Sequence, residues 1–380
     1  MKTNNMIQVL YHNRLVGRLA LTADKRCAFE YSDEWIAEGF AISPFSLPLK
    51  KQVFIPDKPY FGGLFGVFAD SLPDAWGRIL LNRILRRNEK ASQDLNQLER
   101  LSIVGASGMG ALTYQPEINI ANDNNAIDLD LLAAQCKQIL TTEYNDNLDE
   151  LYQLGGTSGG ARPKIMTRVG TEEWIIKFPA HVDRADIGQM EYDYSVCAKK
   201  CGIHMPATRL FDSKQCSGYF GTKRFDRVES DTEDKELEKV HMCTAAALLE
   251  ADFEQPCLDY IDLMKLTKIL TNDNKVDVEN MFLRMCFNVF AHNRDDHAKN
   301  FTFLYDEGKK SWKLSPAYDL TYSTTYFGEH TTSIAGNGSN PTEKEILRVG
   351  TQSGMQKKRC VALMECVREH VTRDLEQYIR

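Results

Sequence analysis

One stretch constrains this chain more than any other: His292-Asn293-Arg294-Asp295-Asp296-His297-Ala298-Lys299-Asn300-Phe301. Six ionisable side chains and two amides fall within ten residues. The apolar run Met281-Phe282-Leu283-Arg284-Met285-Cys286-Phe287-Asn288-Val289-Phe290 precedes it, and Thr302-Phe303-Leu304 follows. The pattern predicts a buried helix, a polar loop and a short strand. Unpaired charge is costly to bury, so a loop this ionisable between two apolar elements is either a solvated turn or a place for ions and chemistry.

Spacing favours chemistry. Asp295 and Asn300 are five apart, and Asp319 follows in Ser315-Pro316-Ala317-Tyr318-Asp319-Leu320. Protein kinases use an Asp that accepts the substrate proton, an Asn five residues on that holds a metal, and a second metal-holding Asp after a hairpin. The intervening hairpin is expected as strands 301–305 and 312–314 around Asp306-Glu307-Gly308-Lys309-Lys310.

A phosphate-binding counterpart lies upstream. Gly155-Gly156-Thr157-Ser158-Gly159-Gly160-Ala161-Arg162-Pro163-Lys164 places four glycines in six residues ahead of two cations. Glycines let backbone N–H groups approach an anion closely. The segment lacks the Walker A pattern and leads into strand-like residues 165–169 and 174–178, not into a helix. A glycine-rich loop borne on strands is the kinase arrangement. Lys177, at the end of the return strand, is placed to pair with phosphates. Glu191, in a helix expected over 185–200, is its candidate partner. The alternative for 155–164 is a plain surface loop.

The rest of the chain frames these motifs. A hairpin is expected over 7–21 and another short strand over 28–31. Helices are expected over 74–87, 95–104, 129–142, 242–249, 260–270, 276–292 and 356–378, and strands over 206–211 and 219–225. Gly105-Ala106-Ser107-Gly108-Met109-Gly110 is a turn, since no strand-then-helix frame supports a dinucleotide fingerprint. Asp70 to Arg78 is read as structural. The polar stretch 119–125 is the expected boundary between domain 1–117 and a second region. That region divides into 126–222, with the glycine-rich loop, and a helical part, 223–380.

Bulk properties limit the alternatives. A net charge of −7 over 380 residues argues against a surface devoted to nucleic acid. Ten cysteines stand at irregular spacings without a C-x-x-C pair, which fits reduced thiols better than a zinc site or disulfide framework. The first residues lack a signal-peptide core and no run of about eighteen apolar residues occurs, so the expected location is cytoplasmic.

Taken jointly, several motifs resemble the HipA family of bacterial toxin kinases. They are Phe68-Ala69-Asp70-Ser71-Leu72-Pro73-Asp74-Ala75-Trp76-Gly77, Gly110-Ala111-Leu112, Gly159-Gly160-Ala161-Arg162-Pro163-Lys164, Arg224-Phe225-Asp226-Arg227, His297-Ala298-Lys299-Asn300-Phe301 and Pro316-Ala317-Tyr318-Asp319-Leu320. The resemblance implies a bilobed α+β kinase-like fold with a β-rich N-terminal subdomain, a β-rich N-lobe and a mainly helical C-lobe. It implies a Ser/Thr protein kinase using ATP and Mg2+, a HipB-like helix-turn-helix antitoxin partner, and a target such as an aminoacyl-tRNA synthetase. DNA would be met only through the partner, and no membrane is involved.

Carried over by position, Asp295 is the base, Asn300 and Asp319 hold the metal, and Lys177 meets the phosphates. Gly159, Gly160, Ala161, Arg162, Pro163 and Lys164 form the phosphate loop. Lys223, Arg224 and Phe225 form the adenine hinge, and His297, Ala298, Lys299, Asn300 and Tyr318 complete the nucleotide site. Thr157 or Ser158 stands at the family's self-phosphorylated position. His292 and Asp296 are left as loop supports, and Arg224 to Arg227 reads equally as a structural salt-bridge knot. Two other functions stay open at this level: a non-catalytic corepressor of an antitoxin, and a small-molecule kinase.

Overall fold

The computed structural model describes residues 5–58, 60–87, 95–118, 128–141, 148–157, 160–180, 183–230, 237–252, 255, 258–325 and 328–379. The expected boundary at 119–125, and Ser158 and Gly159, lie outside these residues. The chain divides into two compact units. The first comprises Met1–Gly188, Arg209–Cys243 and Ala247–Glu250; the second comprises Gln189–Thr208, Thr244–Ala246 and Ala251–Arg380.

The first unit opens with the expected hairpin, β1 (Met6–Tyr11) and β2 (Arg14–Leu21), followed by β3 (Cys27–Tyr31). His12 and Asn13 make the turn with positive φ, the conformation a tight hairpin demands. Helix α1 (Asp33–Glu38) starts where the Ser32 hydroxyl accepts the Trp35 amide. After β4 (Val53–Phe54) come α2 (Gly66–Ala69), α3 (Ala75–Arg87) and α4 (Gln97–Val104). Strand β5 (Leu112–Gln115) pairs with β1 and completes a five-stranded sheet, β4-β3-β2-β1-β5.

Helices α5 (Leu129–Thr141) and α6 (Leu148–Gly155) then lead to β6 (Lys164–Val169), β7 (Glu172–Lys177), β8 (Thr208–Phe211) and β9 (Tyr219–Lys223), in the sheet order β6-β7-β9-β8. Helix α6 was hidden by the acidic character of its sequence, though its Leu148, Leu151 and Tyr152 are buried. One core joins these parts. Trp76, Leu80 and Ile84 of α3 pack in a cluster with Ile165, Trp174, Ile176 and Phe178 of the second sheet. A short pair, β10 (Arg227–Glu229) and β11 (Leu237–Lys239), adds a third sheet.

The second unit is mainly helical. It holds α7 (Ile187–Lys200) from Gln189 onward. The connecting β12 (Met242–Thr244) and α8 (Ala245–Leu248) belong partly to each unit. A helix expected over 242–249 is thus confined to the alanine-rich half, since Cys243 and Thr244 are weak helix formers. Helix α9 (Tyr260–Leu270) begins at a capping box made by Asp259 and Asp262. Helix α10 (Lys275–Phe290) is central, with Met281, Phe282, Met285, Cys286 and Phe287 fully buried. The hairpin β13 (Thr302–Asp306) and β14 (Ser311–Leu314), then α11 (Glu343–Gln352) and α12 (Lys357–Ile379), complete the unit. Among the described residues, no helix is long and apolar enough to cross a membrane.

One partly buried acid in the first unit makes a pH prediction. Glu250 has φ 47°, and both its carboxylate oxygens accept the Gly66 amide, at 3.0 and 3.1 Å. Burial pushes its carboxyl up to about 7, against the pull of that hydrogen bond. An acid with a raised folded pKa holds more protons folded than unfolded between about pH 4.5 and 7, so its contribution to stability falls as pH rises through that window. Glu250→Gln is expected to gain on the parent from pH 5 to pH 7.5, by on the order of 3 kcal/mol. Denaturant titrations at both pH values check this, and a difference that does not change with pH contradicts it.

Candidate active site

The glycine-rich segment lies in the first unit, where it joins α6 to β6. Gly160 has φ +87°, a conformation open to glycine at little cost. Its amide donates to Asp74 Oδ2 at 2.9 Å, and its carbonyl accepts the Trp76 amide at 3.3 Å. Thr157 is buried and donates its hydroxyl to the Ser107 carbonyl at 2.9 Å. Ala161 is exposed, and Arg162 pairs with Asp183, Nε to Oδ2 at 3.2 Å. The Pro163 carbonyl accepts the Phe178 amide at 2.8 Å.

Lys164 on β6 and Lys177 on β7 are register partners. Directly opposed residues of an antiparallel pair share a face. Ile165 and Ile176, the neighbouring partners, are buried in the core, so the two lysines stand on the face opposite to it. The Lys177 ammonium lies 5.6 Å from the Phe220 ring centroid. Two cations on one face beside a glycine-rich loop suit an anionic ligand.

Residues 223–227 divide between two roles. Lys223 pairs with Glu172 at 2.6 Å, half-exposed, and Phe225 is partly buried. Arg224 is buried: its Nε and a terminal nitrogen donate to Asp226 at 3.0 and 2.8 Å. Asp226 also accepts from Arg227 at 2.7 Å and from the Gly110 amide at 2.8 Å. Burial alone would raise the Asp226 carboxyl, but the two guanidiniums override it and hold it well below the usual carboxylate range. Arg227 donates onward to the Gly108 and Gly110 carbonyls. The salt-bridge knot is therefore real, and the Arg224 side chain is committed to it.

The second unit carries the loop after α10. His292 enters it at φ 54°, and the Asn293 amide returns to the Asn288 carbonyl at 2.9 Å. Two adjacent carboxylates then take opposite environments. The Asp295 side chain is 60 % exposed, whereas Asp296 is fully buried. Asp296 Oδ2 accepts the Tyr260 hydroxyl at 2.8 Å and His330 Nδ1–H at 2.9 Å, and Oδ1 accepts the Thr332 amide at 3.1 Å. Asn288 donates to the Tyr260 oxygen at 2.8 Å. Asp296 is thus the anchor of the loop, and Asp295 is the carboxylate left facing outward.

The remaining residues gather around this anchor. Asn300 Nδ2 donates to the Asp295 carbonyl at 2.7 Å, which turns its amide oxygen away from that carbonyl. His297 Nε2 lies 3.9 Å from Asp295 Oδ1. Ala298 is buried, and the Tyr318 hydroxyl lies 2.5 Å from the Lys299 carbonyl. Asp319 has φ 53°, and its carbonyl accepts from Asn293 Nδ2 at 3.4 Å. A non-glycine residue in this region costs about 1–3 kcal/mol and tends to mark functional sites. Asn293 therefore ties the loop to the residue before Leu320, by bonds to Asn288 and Asp319.

The donor set fits magnesium. Among the described residues, no cluster of three or more His, Cys, Asp or Glu could hold a metal. Mg2+ does not need one, since it binds through one or two side-chain oxygens together with phosphates and water. Asn300 and Asp319 offer hard oxygens of that kind. Tyr260, His330 and Thr332 escaped sequence reasoning because their partners lie in distant segments, and so did the Asn288 bond to Tyr260 and the Asn293 bond to Asp319. The Asp295-Asp296 doublet was the one local signal.

Comparison with known proteins bears on the family and the fold. The HipA N-terminal domain matches residues 7–115, and the HipA-like C-terminal domain matches residues 156–375. HipA of Shewanella oneidensis MR-1, solved as a toxin–antitoxin complex with HipB and its operator DNA, superposes with a TM-score of 0.71 at 15 % identity over 98 % of this chain and 90 % of that one. A candidate kinase of Sinorhizobium fredii, Y4mE, is 23 % identical over 352 residues, 85 % of this chain and 79 % of the relative. A second from the same organism, Y4dM, is 25 % identical over 174 residues, 42 % of this chain and 40 % of the relative, so that match spans less than half of Y4dM. The α+β fold is the one HipA has, and with the C-terminal domain match covering more than half its length, the chain belongs to the HipA family.

Proposed function

We propose that this chain is an ATP-dependent serine/threonine protein kinase, the toxin of a toxin–antitoxin pair. The observation that carries the reading is the split between Asp295 and Asp296: one carboxylate buried and fully bonded, its neighbour exposed beside Asn300. Asp295 orients the acceptor hydroxyl and takes its proton as the new O–P bond forms and the bond from the γ-phosphorus to ADP breaks. Lys177 steadies the phosphates, together with backbone groups of the glycine-rich segment from Gly160 onward. Asn300 and Asp319 hold Mg2+, which when bound neutralises charge on the phosphates. The partner is a HipB-like DNA-binding antitoxin, by analogy with the Shewanella complex, and the target is a translation protein such as an aminoacyl-tRNA synthetase.

Self-modification of the loop follows from the same chemistry. A phosphate there adds about −1.5 to −2 charge where ATP phosphates must sit, and so inhibits. Thr157 is a poor acceptor while its hydroxyl is buried against Ser107, which leaves Ser158 as the expected site. With Mg-ATP, the parent and Thr157→Ala gain one phosphate in intact mass and Ser158→Ala does not. Phosphoproteomics of cells expressing the parent or Asp295→Asn tests the reading as a whole. The expected result is one or a few Ser/Thr sites present only with the parent. A phosphorylated metabolite with no protein site would contradict it.

A further inference from the structure

The segment Asp74–Trp76 and the turn at Ser107 both lie in the N-terminal family domain, yet both end on the glycine-rich segment of the C-terminal one. We propose that Asp74, with Trp76 and Ser107, is the positioning cradle of the glycine-rich loop, so that the N-terminal domain sets the affinity for nucleotide. This rests on the kinase reading above.

The contacts hold the segment at both ends. On the upstream side, Thr157 donates to the Ser107 carbonyl. A Cβ at Gly77 would lie 1.8 Å from the Gly156 oxygen, so helix α3 meets the loop backbone directly. On the downstream side, both backbone groups of Gly160 are taken: its N–H by the Asp74 carboxylate, its C=O by the Trp76 amide. The Trp76 indole donates to the Lys164 carbonyl at 3.2 Å, fixing the first residue of β6. Trp76 is itself wholly buried in the shared core, so this purchase is rigid.

The chemistry of Asp74 explains why a carboxylate stands here. A hydrogen bond from a neutral amide to an ionised acceptor is roughly twice as strong as one between neutral groups. Gly160 sits at positive φ, where the backbone has no side chain to lock it. Binding a flexible loop costs conformational entropy, and fixing it beforehand lowers that cost. Asp74 touches neither reacting atom, so it acts as a positioning residue, read through KM more than kcat.

The test combines amide exchange of nucleotide-free protein with ATP kinetics. Asp74→Ala is expected to speed Gly160 exchange about tenfold or more and to raise KM for ATP about tenfold, with kcat within about threefold of the parent. Asp74→Asn keeps an oxygen acceptor and should restore both to within about threefold. Thr157→Val, which releases the other end while keeping the side chain's shape, should raise KM about threefold and serves where Asp74→Ala does not fold. Unchanged Gly160 exchange overturns the cradle. So does faster exchange with KM unchanged or lowered, which would make Asp74 a competitor of the phosphates. Absence of ATP binding by the parent counts against the kinase reading and its nucleotide consequence together, whereas unchanged exchange counts against the cradle alone.

Discussion

Asp295→Asn is expected to bind Mg-ATP as the parent does and to lose about a thousandfold or more in phosphoryl transfer. General base catalysis contributes about 10²–10⁴-fold, and an amide can neither accept the hydroxyl proton nor orient the acceptor in the same way. Binding should survive because the Asp295 side chain is exposed and its one loop neighbour, His297 Nε2, stands 3.9 Å off, beyond hydrogen-bond distance; it is the Asp295 carbonyl that receives Asn300. Initial rates with a protein acceptor, set beside ATP titrations of the same preparation, check both halves. Transfer at the parental rate sinks the assignment of the base.

The neighbouring substitution is expected to fail differently. Asp296→Ala removes the acceptor of the Tyr260 hydroxyl, His330 Nδ1–H and the Thr332 amide in a site with no access to water. Stranding buried donors costs about 1–3 kcal/mol each, and breaking a buried charge network by removing one partner costs about 3–5 kcal/mol. A loss of about 3–5 kcal/mol in unfolding free energy is therefore expected, together with loss of activity, since Asp295 and Asn300 hang from this anchor. Asp296→Asn, which still accepts, should lose less. Denaturant unfolding measures this, and a change below about 1 kcal/mol in Asp296→Ala would show that the network does not hold the loop.

Two adjacent aspartates thus separate into two experiments, one reading chemistry and the other stability. Sequence alone could give this only in part. The spacing of Asp295, Asn300 and Asp319 is local, and so are the alternations that mark β1 with β2, β6 with β7 and β13 with β14. Local patterns are what periodicity can detect. What fixes these elements is not local: Asp296 meets His330 and Thr332 across 34 and 36 residues, and Gly160 meets Asp74 across 86. No spacing rule links such pairs, so Asp70–Arg78 read as structural and Asp296 as a loop support without a mechanism.

The same limit explains the elements missed. Strands β10 and β11 are three residues each, too short to show alternation. Helix α11 buries only Ile346, Val349 and Gly350 behind a polar face that begins with Glu343, Lys344 and Glu345. Arg224 carried two readings in the sequence, a hinge whose backbone meets the adenine and a salt-bridge knot; its guanidinium bonds Asp226 inside the fold, as the second reading expects.

The central claim is that this chain uses ATP held with magnesium, and calorimetric titration of ATP into the purified protein with and without Mg2+ tests it most directly. The expected result is saturable binding by the parent that weakens at least tenfold when Mg2+ is removed, and binding by Asp319→Ala that is weak under both conditions. Parent binding that is indifferent to Mg2+, or Asp319→Ala binding that matches the parent's, would contradict it.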